Sequence, residues 1–402
     1  MKILFLTQII PYPPDAGPRI KTWHVLQYLA NSGHDITLLS FVRKDEEKHL
    51  SKLSEVCQQI IPIPIKRTRI EEVRALLRSQ IKRTPFLIER DFRPLMAKTT
   101  RELLTTHHYD AIHVDQVNMA QFISKSFLNS KRIKTIFDAH NATWVILDRM
   151  RHKIPLALRP FLSLEVHRMK AYENRLVEEF DHVITVTEID KNLILKGRNG
   201  QHNNSKVHVI PIAVNTDLLR PVKRKPDSNH IVTVASLNYP PNADGVRWFL
   251  REVFPIIKRQ KPEVTLTVIG KNPPKDFFDL AKDFHNEVQI TGYVEDLIPY
   301  LENSAFMVVP VLAGGGMRVR ILEAFSRGIP VVTTTIGLEG ISATDGIEVL
   351  VEDTPENFAQ AVIRLLHDFQ LQEQLAINAR NLVTSKYDWK ISLQELETIY
   401  KN

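Results

Sequence analysis

Short Val/Ile-rich runs recur along the whole chain, spaced to leave room for a helix between neighbours. ILFLT (3–7), DITLLSF (35–41), AIHVD (111–115), KTIFDAH (134–140), HVITVT (182–187) and VHVIPIAV (207–214) fill the first half. HIVTVAS (230–236), VTLTVIG (264–270), VQITGYV (288–294), AFMVVPV (305–311), PVVTTT (330–335) and EVLVED (348–353) fill the second. Most are apolar on both faces, as strands covered above and below by helices must be. Alternating strand and helix predicts an α/β chain with two Rossmann-like, doubly wound parallel-sheet domains. A length of 402 residues suits two such cores. In VIPIAVNTDLLRPVKRKPDSNH a strand gives way to a charged, Pro-containing stretch and then a new strand. The boundary is therefore expected near residue 214, giving domains 1–214 and 215–385. Sheets of this kind bind ligands outside the carboxyl ends of their strands, so two domains facing across a cleft would hold substrates there. The final SKYDWKISLQELETIYKN reads as a helix over 386–402, with Trp389, Ile391, Leu393, Leu396 and Tyr400 as its apolar members.

Composition narrows the class. With 43% hydrophobic and 25% charged residues the chain has the make-up of a soluble globular protein. Cys57 is the sole cysteine, which excludes an intrachain disulfide and fits a cytoplasmic location. The opening apolar run is broken by Gln8 and lacks a small-residue cleavage site, so it is expected to be a buried strand and not a leader. The net charge of +7 is unevenly placed: residues 66–101 hold eleven Lys/Arg against four Asp/Glu. Ile70, Val73, Leu76, Leu77 and Ile81 stand at helical spacing within that stretch. A basic amphipathic helix can lie on anionic lipid, so peripheral contact with the inner face of a membrane through 66–101 is one expectation. An ordinary solvated helix is the other. No nucleic-acid-binding motif is visible, and no nucleic-acid partner is expected.

AGGGMRVRILEAFSRGIPVV (313–332) holds the densest chemistry. Gly314, Gly315 and Gly316 follow a strand run and let a ligand approach the main chain closely. A helix expected to begin near Met317 would point its first amides at that ligand, an arrangement suited to phosphate. Arg318 and Arg320 would sit in its first turn, where the helix dipole disfavours cations unless an anion is bound. Glu323, among Ile321, Leu322, Ala324 and Phe325, needs donors if buried. A ribose diol beside a diphosphate supplies two; an Arg320–Glu323 pair at i,i+3 is the structural alternative.

GGGMRVRILEAFSRGIPVVTT resembles the signature of glycosyltransferase family 4 on the GT-B fold. In that family the second glutamate of a Glu-x7-Glu motif binds the donor ribose, and Glu323 matches it. Gly315 stands where the first glutamate is usual. GYVEDLIPYLENSAFMVVPV is similar to the family's loop around the nucleobase, which would place Tyr293 and Val294 at the base. VIPIAVNTDLL is similar to its interdomain linker, and PYPPDAG with HVLQYLANSGHDITLLS to its first loop and helix. The resemblance also implies that the last helix returns to the first domain. Where many members place an Arg and a Lys after the first strand of the second domain, this chain has SLNYPPNADG, with Ser236 and Asn242 at those places. Asn238 of the same loop is a candidate donor contact, and Arg318 and Arg320 are expected to supply the missing charge.

FDAHNAT (137–143) puts Asp138 and His140 where a strand becomes a loop. A solitary histidine is commonly structural, but the resemblance assigns His140 to the donor sugar near the reacting carbon. His107, His108 and His113 carry no such assignment. In PYPPDAGPRIK, Gly17 would let an amide approach the diphosphate, and Arg19 could reach the same anion or the acceptor. No metal-ligand spacing is visible, so no metal or other cofactor is expected. The resemblance implies a retaining glycosyltransferase that takes a nucleotide-diphosphate sugar and a saccharide or lipid-linked acceptor, with His140, Glu323 and Arg318 as catalytic candidates. A sugar-nucleotide epimerase on the same fold and a non-catalytic nucleotide-sugar or membrane binder are the competing classes.

Overall fold

A computed structural model describes residues 1–401 except 129–131, 152–153, 197–203, 226 and 286. The chain divides into two compact units, Met1–Ala213 with Ser392–Asn402, and Val214–Ile391.

The first unit is built on β1 (Lys2–Thr7), β2 (Asp35–Val42), β3 (Gln59–Pro64), β4 (Ala111–Asp115), β5 (Lys134–Asp138), β6 (His182–Thr185) and β7 (Val207–Val209). They form one sheet in the order β3-β2-β1-β4-β5-β6-β7, parallel throughout. Strand β3, QIIPIP, is not expected from its sequence. Pro62 and Pro64 cannot donate to a ladder, so the segment can pair only at a sheet edge, which is where it lies. Leu4, Leu6, Ile112, Val114 and Phe137 face one side and are covered by Leu176, Val177 and Phe180 at the end of helix Arg159–Glu179 and beyond. On the other side Phe5 stacks on His113, and His113 on Tyr400 of helix Glu395–Lys401.

The second unit orders β8 (His230–Val234), β9 (Thr265–Ile269), β10 (Val288–Gly292), β11 (Phe306–Val309), β12 (Val331–Thr333) and β13 (Leu350–Val351) as β10-β9-β8-β11-β12-β13, again all parallel. Each sheet grows outward in both directions from its first strand, so its winding reverses between β1 and β4, and between β8 and β11. Crevices for ligands form at such reversals. Helix Pro240–Trp248 is seated over the second of them through Gly245, where a Cβ would lie 1.6 Å from the carbonyl oxygen of Pro310.

The C-terminal segment differs from the single helix expected over 386–402. A π-turn ends at Tyr387, Asp388 becomes extended, and short helices cover Trp389–Ser392 and Glu395–Lys401. The break has a cause in Asp388: its backbone bridges Val214, while its carboxylate accepts from the backbone N–H of Thr216 at 3.1 Å and from that residue's hydroxyl at 2.6 Å. Trp389 and Ile391 therefore belong to the second unit, and the chain returns to the first from Ser392. No helix among the described residues is long and apolar enough to cross a membrane.

Candidate functional site

In the second unit the loop after β11 carries the three glycines. Gly314 (φ +109°) and Gly316 (φ +79°) occupy left-handed backbone that side chains disfavour. The helix that follows runs Val319–Ser326, two residues later than expected, and Arg318 is its N-cap residue without a capping side-chain bond. Arg318 turns back on the loop and donates through Nη1 to the carbonyls of Gly315 (2.7 Å) and Gly316 (2.8 Å). Those carbonyls thereby face the guanidinium, and the N–H groups of the same trans peptides face away from it. Among the described residues the N–H groups of Gly316, Met317, Val319 and Arg320 have no acceptor. An uncapped helix start preceded by such a loop leaves amides in a geometry suited to an anion.

Arg320 donates to the carbonyl of Val234, the last residue of β8, at 3.0 Å. Burial, reinforced by Arg318 and opposed by Glu323, pushes its guanidinium down to about 10. The Arg320–Glu323 pair is thus not the arrangement adopted. The Glu323 carboxylate accepts no hydrogen bond and forms no ion pair within 4 Å among the described residues. Burial raises its pKa, with Arg327 and Arg320 acting the other way. Two guanidinium groups, one carboxylate without a donor and a set of amides without acceptors therefore meet at the β8/β11 reversal.

The neighbouring candidates are arranged more openly. Asn238 and Ser236 are exposed in the loop after β8, whereas Asn242 is buried and donates to the carbonyl of Ser236 at 3.1 Å. Tyr293 is exposed with the Lys271 ammonium 4.6 Å from its ring centre, and Val294 is half-buried beside it.

The first unit gathers a second group at its own reversal. Thr7, Asp115 and Asp138 end β1, β4 and β5. Asp115 accepts from Thr7 (2.6 Å) and Thr22 (3.0 Å) and bonds His140 Nε2 at 2.6 Å. His140 is buried and holds φ +57°. Asp138 is paired with the buried Lys21 ammonium. Burial alone would raise the Asp138 carboxyl, but Lys21, His140 and His113 outweigh it and hold it well below the usual carboxylate range. Asp115, Asp138 and His140 offer donor atoms within 4.8 Å of one another, close enough for a cation. Their charge is met from within the chain, by Lys21 on Asp138 and by hydrogen bonds on Asp115. Gly17 begins helix Gly17–Asn31 and is half-buried. Arg19, expected to reach an anion, is committed to Glu46 and, at 3.4 Å, to Asp15.

Comparison with known families adds the deciding observation. Residues 22–218 match the model described as Glycosyltransferase Family 4, and residues 228–368 match Glycosyl transferases group 1. The chain belongs to glycosyltransferase family 4. It has the GT-B fold of that family and is a glycosyltransferase. A 44.6 kDa protein in the cps region of Klebsiella pneumoniae is 21% identical over 97% of both chains. The alpha-D-kanosaminyltransferase of Streptomyces kanamyceticus is 27% identical over 39% of this chain and 42% of its own length. Among solved structures, Anabaena HepE in complex with UDP-glucose superposes with TM-score 0.68 at 15% identity, covering 100% of both chains. WaaG, a glycosyltransferase involved in lipopolysaccharide biosynthesis, gives 0.66 at 15% identity over 99% of both.

For this family 4 glycosyltransferase the sequence points to His140, Glu323 and the glycine loop, but not to Asp115, Lys21, Thr7 or Arg327. Asp115 has a legible signal, since it closes the run AIHVD as Asp138 closes KTIFD. Lys21 has none: it sits inside a helix, 117 residues from its partner. His113, to which the sequence gives no role, is fully buried beside Asp138, with its Nδ1 hydrogen-bonded to the Tyr400 hydroxyl at 2.7 Å.

Proposed function

We propose that this glycosyltransferase moves a sugar from a nucleoside-diphosphate sugar to an acceptor hydroxyl with retention of anomeric configuration. The supporting observation is the pairing of donorless Glu323 with acceptorless loop and helix amides at one sheet reversal. A diphosphate would take the amides of Gly316 and Met317, with Arg320 and the Arg318-braced loop of Gly314, Gly315 and Gly316 around it. The adjacent ribose would satisfy Glu323 through its two hydroxyls. Tyr293, Val294 and Asn238 would border the base and its linkage. This arrangement would absorb the leaving charge with amides and guanidinium groups, so no metal or cofactor is assigned. His140, which is hydrogen-bonded to Asp115, and Gly17 are the first unit's candidates for contact with the sugar and diphosphate.

Retention places the attacking and departing oxygens on one face of the anomeric carbon, with the departing phosphate oxygen accepting the acceptor's proton. The acceptor is proposed to be a saccharide or lipid-linked glycan, and residues 66–101 to bring the enzyme to an anionic, cytoplasm-facing membrane surface. The names of the Klebsiella relative and of WaaG support a role in surface polysaccharide or glycolipid synthesis. Thermal-shift screening against UDP, GDP and ADP tests the donor class. A selective rise with one of them is expected, and no response to any contradicts it. NMR of the product then reads the anomeric configuration. Inversion refutes the mechanism, and donor interconversion without acceptor refutes transfer.

A further inference from the structure

The membrane-facing reading of 66–101 rests on helix Arg69–Lys82, and its placement is unusual. Its buried residues are Ala75 and Ser79, while Ile70 (66% exposed), Val73 (58%), Leu77 (59%) and Ile81 (83%) recur along the opposite face. Polar links hold it down: Arg78 and Lys82 pair with Glu89, and the Ser79 hydroxyl donates to the carbonyl of Thr84. Three of the four acids in 66–101 are turned to local partners. Glu71 accepts from the N–H of Thr68, Glu89 pairs with Arg78 and Lys82, and Asp91 pairs with Arg67. Lys66, Arg69, Arg74 and Arg83 are exposed and form no ion pair among the described residues.

A second exposed apolar set lies beside this helix on a different segment. Leu156 (74% exposed), Leu158 (55%), Phe161 (45%) and Leu164 (42%) project from the turn Leu156–Leu158 and the start of helix Arg159–Glu179. Arg168 of that helix donates to the side-chain oxygen of Gln80 at 3.2 Å, which ties the two helices together. Between them runs a groove of about 530 Å³ lined by Arg83, Leu164, His167, Arg168 and Arg175, among others. The Arg175 guanidinium lies 4.9 Å from the Tyr172 ring centre at its floor. Three guanidinium groups thus line the cleft: Arg83 forms no ion pair among the described residues, while Arg168 pairs with Glu165 at 3.1 Å and Arg175 with Glu179 at 3.6 Å, and exposed apolar side chains stand on both flanking helices.

We propose that this groove seats the phosphate headgroup of an anionic membrane lipid, with Ile81 and Leu77 on one lip and Phe161 and Leu164 on the other entering the acyl boundary. The inference rests on the membrane reading of 66–101 and extends it to a headgroup site on a second helix. Guanidinium groups suit a phosphodiester because they donate in a planar fork, and flanking apolar side chains select a lipid over a soluble anion. The membrane surface is the occupant because basic and apolar groups share one exposed face, as interfacial helices require.

Vesicle co-sedimentation of the full chain separates the two levels, using phosphatidylcholine alone and phosphatidylcholine with phosphatidylglycerol. The unaltered protein is expected to pellet with the anionic vesicles and to be released by salt. The stripe variant Ile70→Ser/Leu77→Ser/Ile81→Ser tests the membrane reading itself. The groove variants Arg83→Gln/Arg175→Gln and Phe161→Ser/Leu164→Ser test the headgroup site, and each is expected to weaken anionic binding roughly tenfold or more. All of these changes are at exposed positions, and retention of nucleotide binding serves as the folding control. Groove variants that bind like the unaltered protein, while the stripe variant does not, overturn the headgroup site alone. Equal binding to neutral vesicles, full displacement by inorganic phosphate, or a dimer in solution that the stripe variant abolishes also overturns it.

Discussion

Arg318 Nη1 donates to the carbonyl oxygen of Gly316 at 2.8 Å, so a side chain at the helix start fixes the glycine loop that leads into it. The same nitrogen also holds Gly315 at 2.7 Å. Nη2 lies 3.5 Å from the carbonyl oxygen of Ala313, so the two nitrogens reach three loop carbonyls; the single ammonium of lysine cannot span all three, and the loop would then sample more conformers. Arg318→Lys is expected to reduce turnover by roughly 100-fold through misplaced amides, with the melting temperature nearly unchanged. Steady-state kinetics beside a thermal melt checks this; unaltered turnover would remove the loop from the mechanism.

Lys21 and Asp138 form a buried ion pair, and removing one partner strands the other charge. Lys21→Met is expected to destabilise the protein by about 3–5 kcal/mol. The double variant Lys21→Met/Asp138→Asn should recover much of that loss, because neither charge then remains. Urea unfolding of both proteins decides the point, and a double variant no better than the single one contradicts it.

Glu173 accepts from the N–H groups of Thr143 (2.8 Å) and Trp144 (3.1 Å), just after the loop that carries His140. Burial pushes its carboxyl up to about 7, against the lowering effect of those N–H groups. The folded state therefore binds a proton that the unfolded chain, with an ordinary carboxylate, releases at lower pH. Stability from this group is full below the ordinary range, falls as pH rises towards about 7, and is flat above. The expected loss is about 3 kcal/mol. Glu173→Gln keeps an acceptor but cannot ionise, so its urea midpoint should lose that pH slope; an unchanged slope refutes the assignment.

Gly245 admits helix Pro240–Trp248 against the carbonyl of Pro310, at the strand end that precedes the glycine loop. A methyl group there meets backbone, which cannot swing aside. Gly245→Ala is expected to cost about 3 kcal/mol or more and to weaken nucleotide binding by shifting the helix. A thermal melt with and without nucleotide measures both effects.

What is legible in the chain is whatever local periodicity encodes. Val/Ile runs covered on both faces mark β1, β2 and β4 to β13 and so the two parallel sheets. Prolines at 62 and 64 hide β3, because only a sheet edge makes that strand possible. The glycine triplet announces its loop, yet the two-residue delay of its helix follows from Arg318 folding back, which is a tertiary event. Periodicity likewise gives helix Arg69–Lys82 but not which of its faces turns outward. The Lys21–Asp138 pair and the bond from His140 to Asp115 join separate strands and helices, so spacing along the chain carries no sign of them.

The central claim is that Glu323 grips the ribose of a donor whose diphosphate lies on the glycine-loop amides. Calorimetric titration of the preferred nucleoside diphosphate and its 2′,3′-dideoxy analogue, into the unaltered protein and Glu323→Ala, tests it most directly. If the carboxylate accepts both ribose hydroxyls, the unaltered protein should prefer the ribonucleotide by about 150-fold or more, from two charged hydrogen bonds at about 1.5–3 kcal/mol each. Glu323→Ala should bind the two ligands equally. Equal affinities in the unaltered protein, or a preference that survives Glu323→Ala, would contradict it.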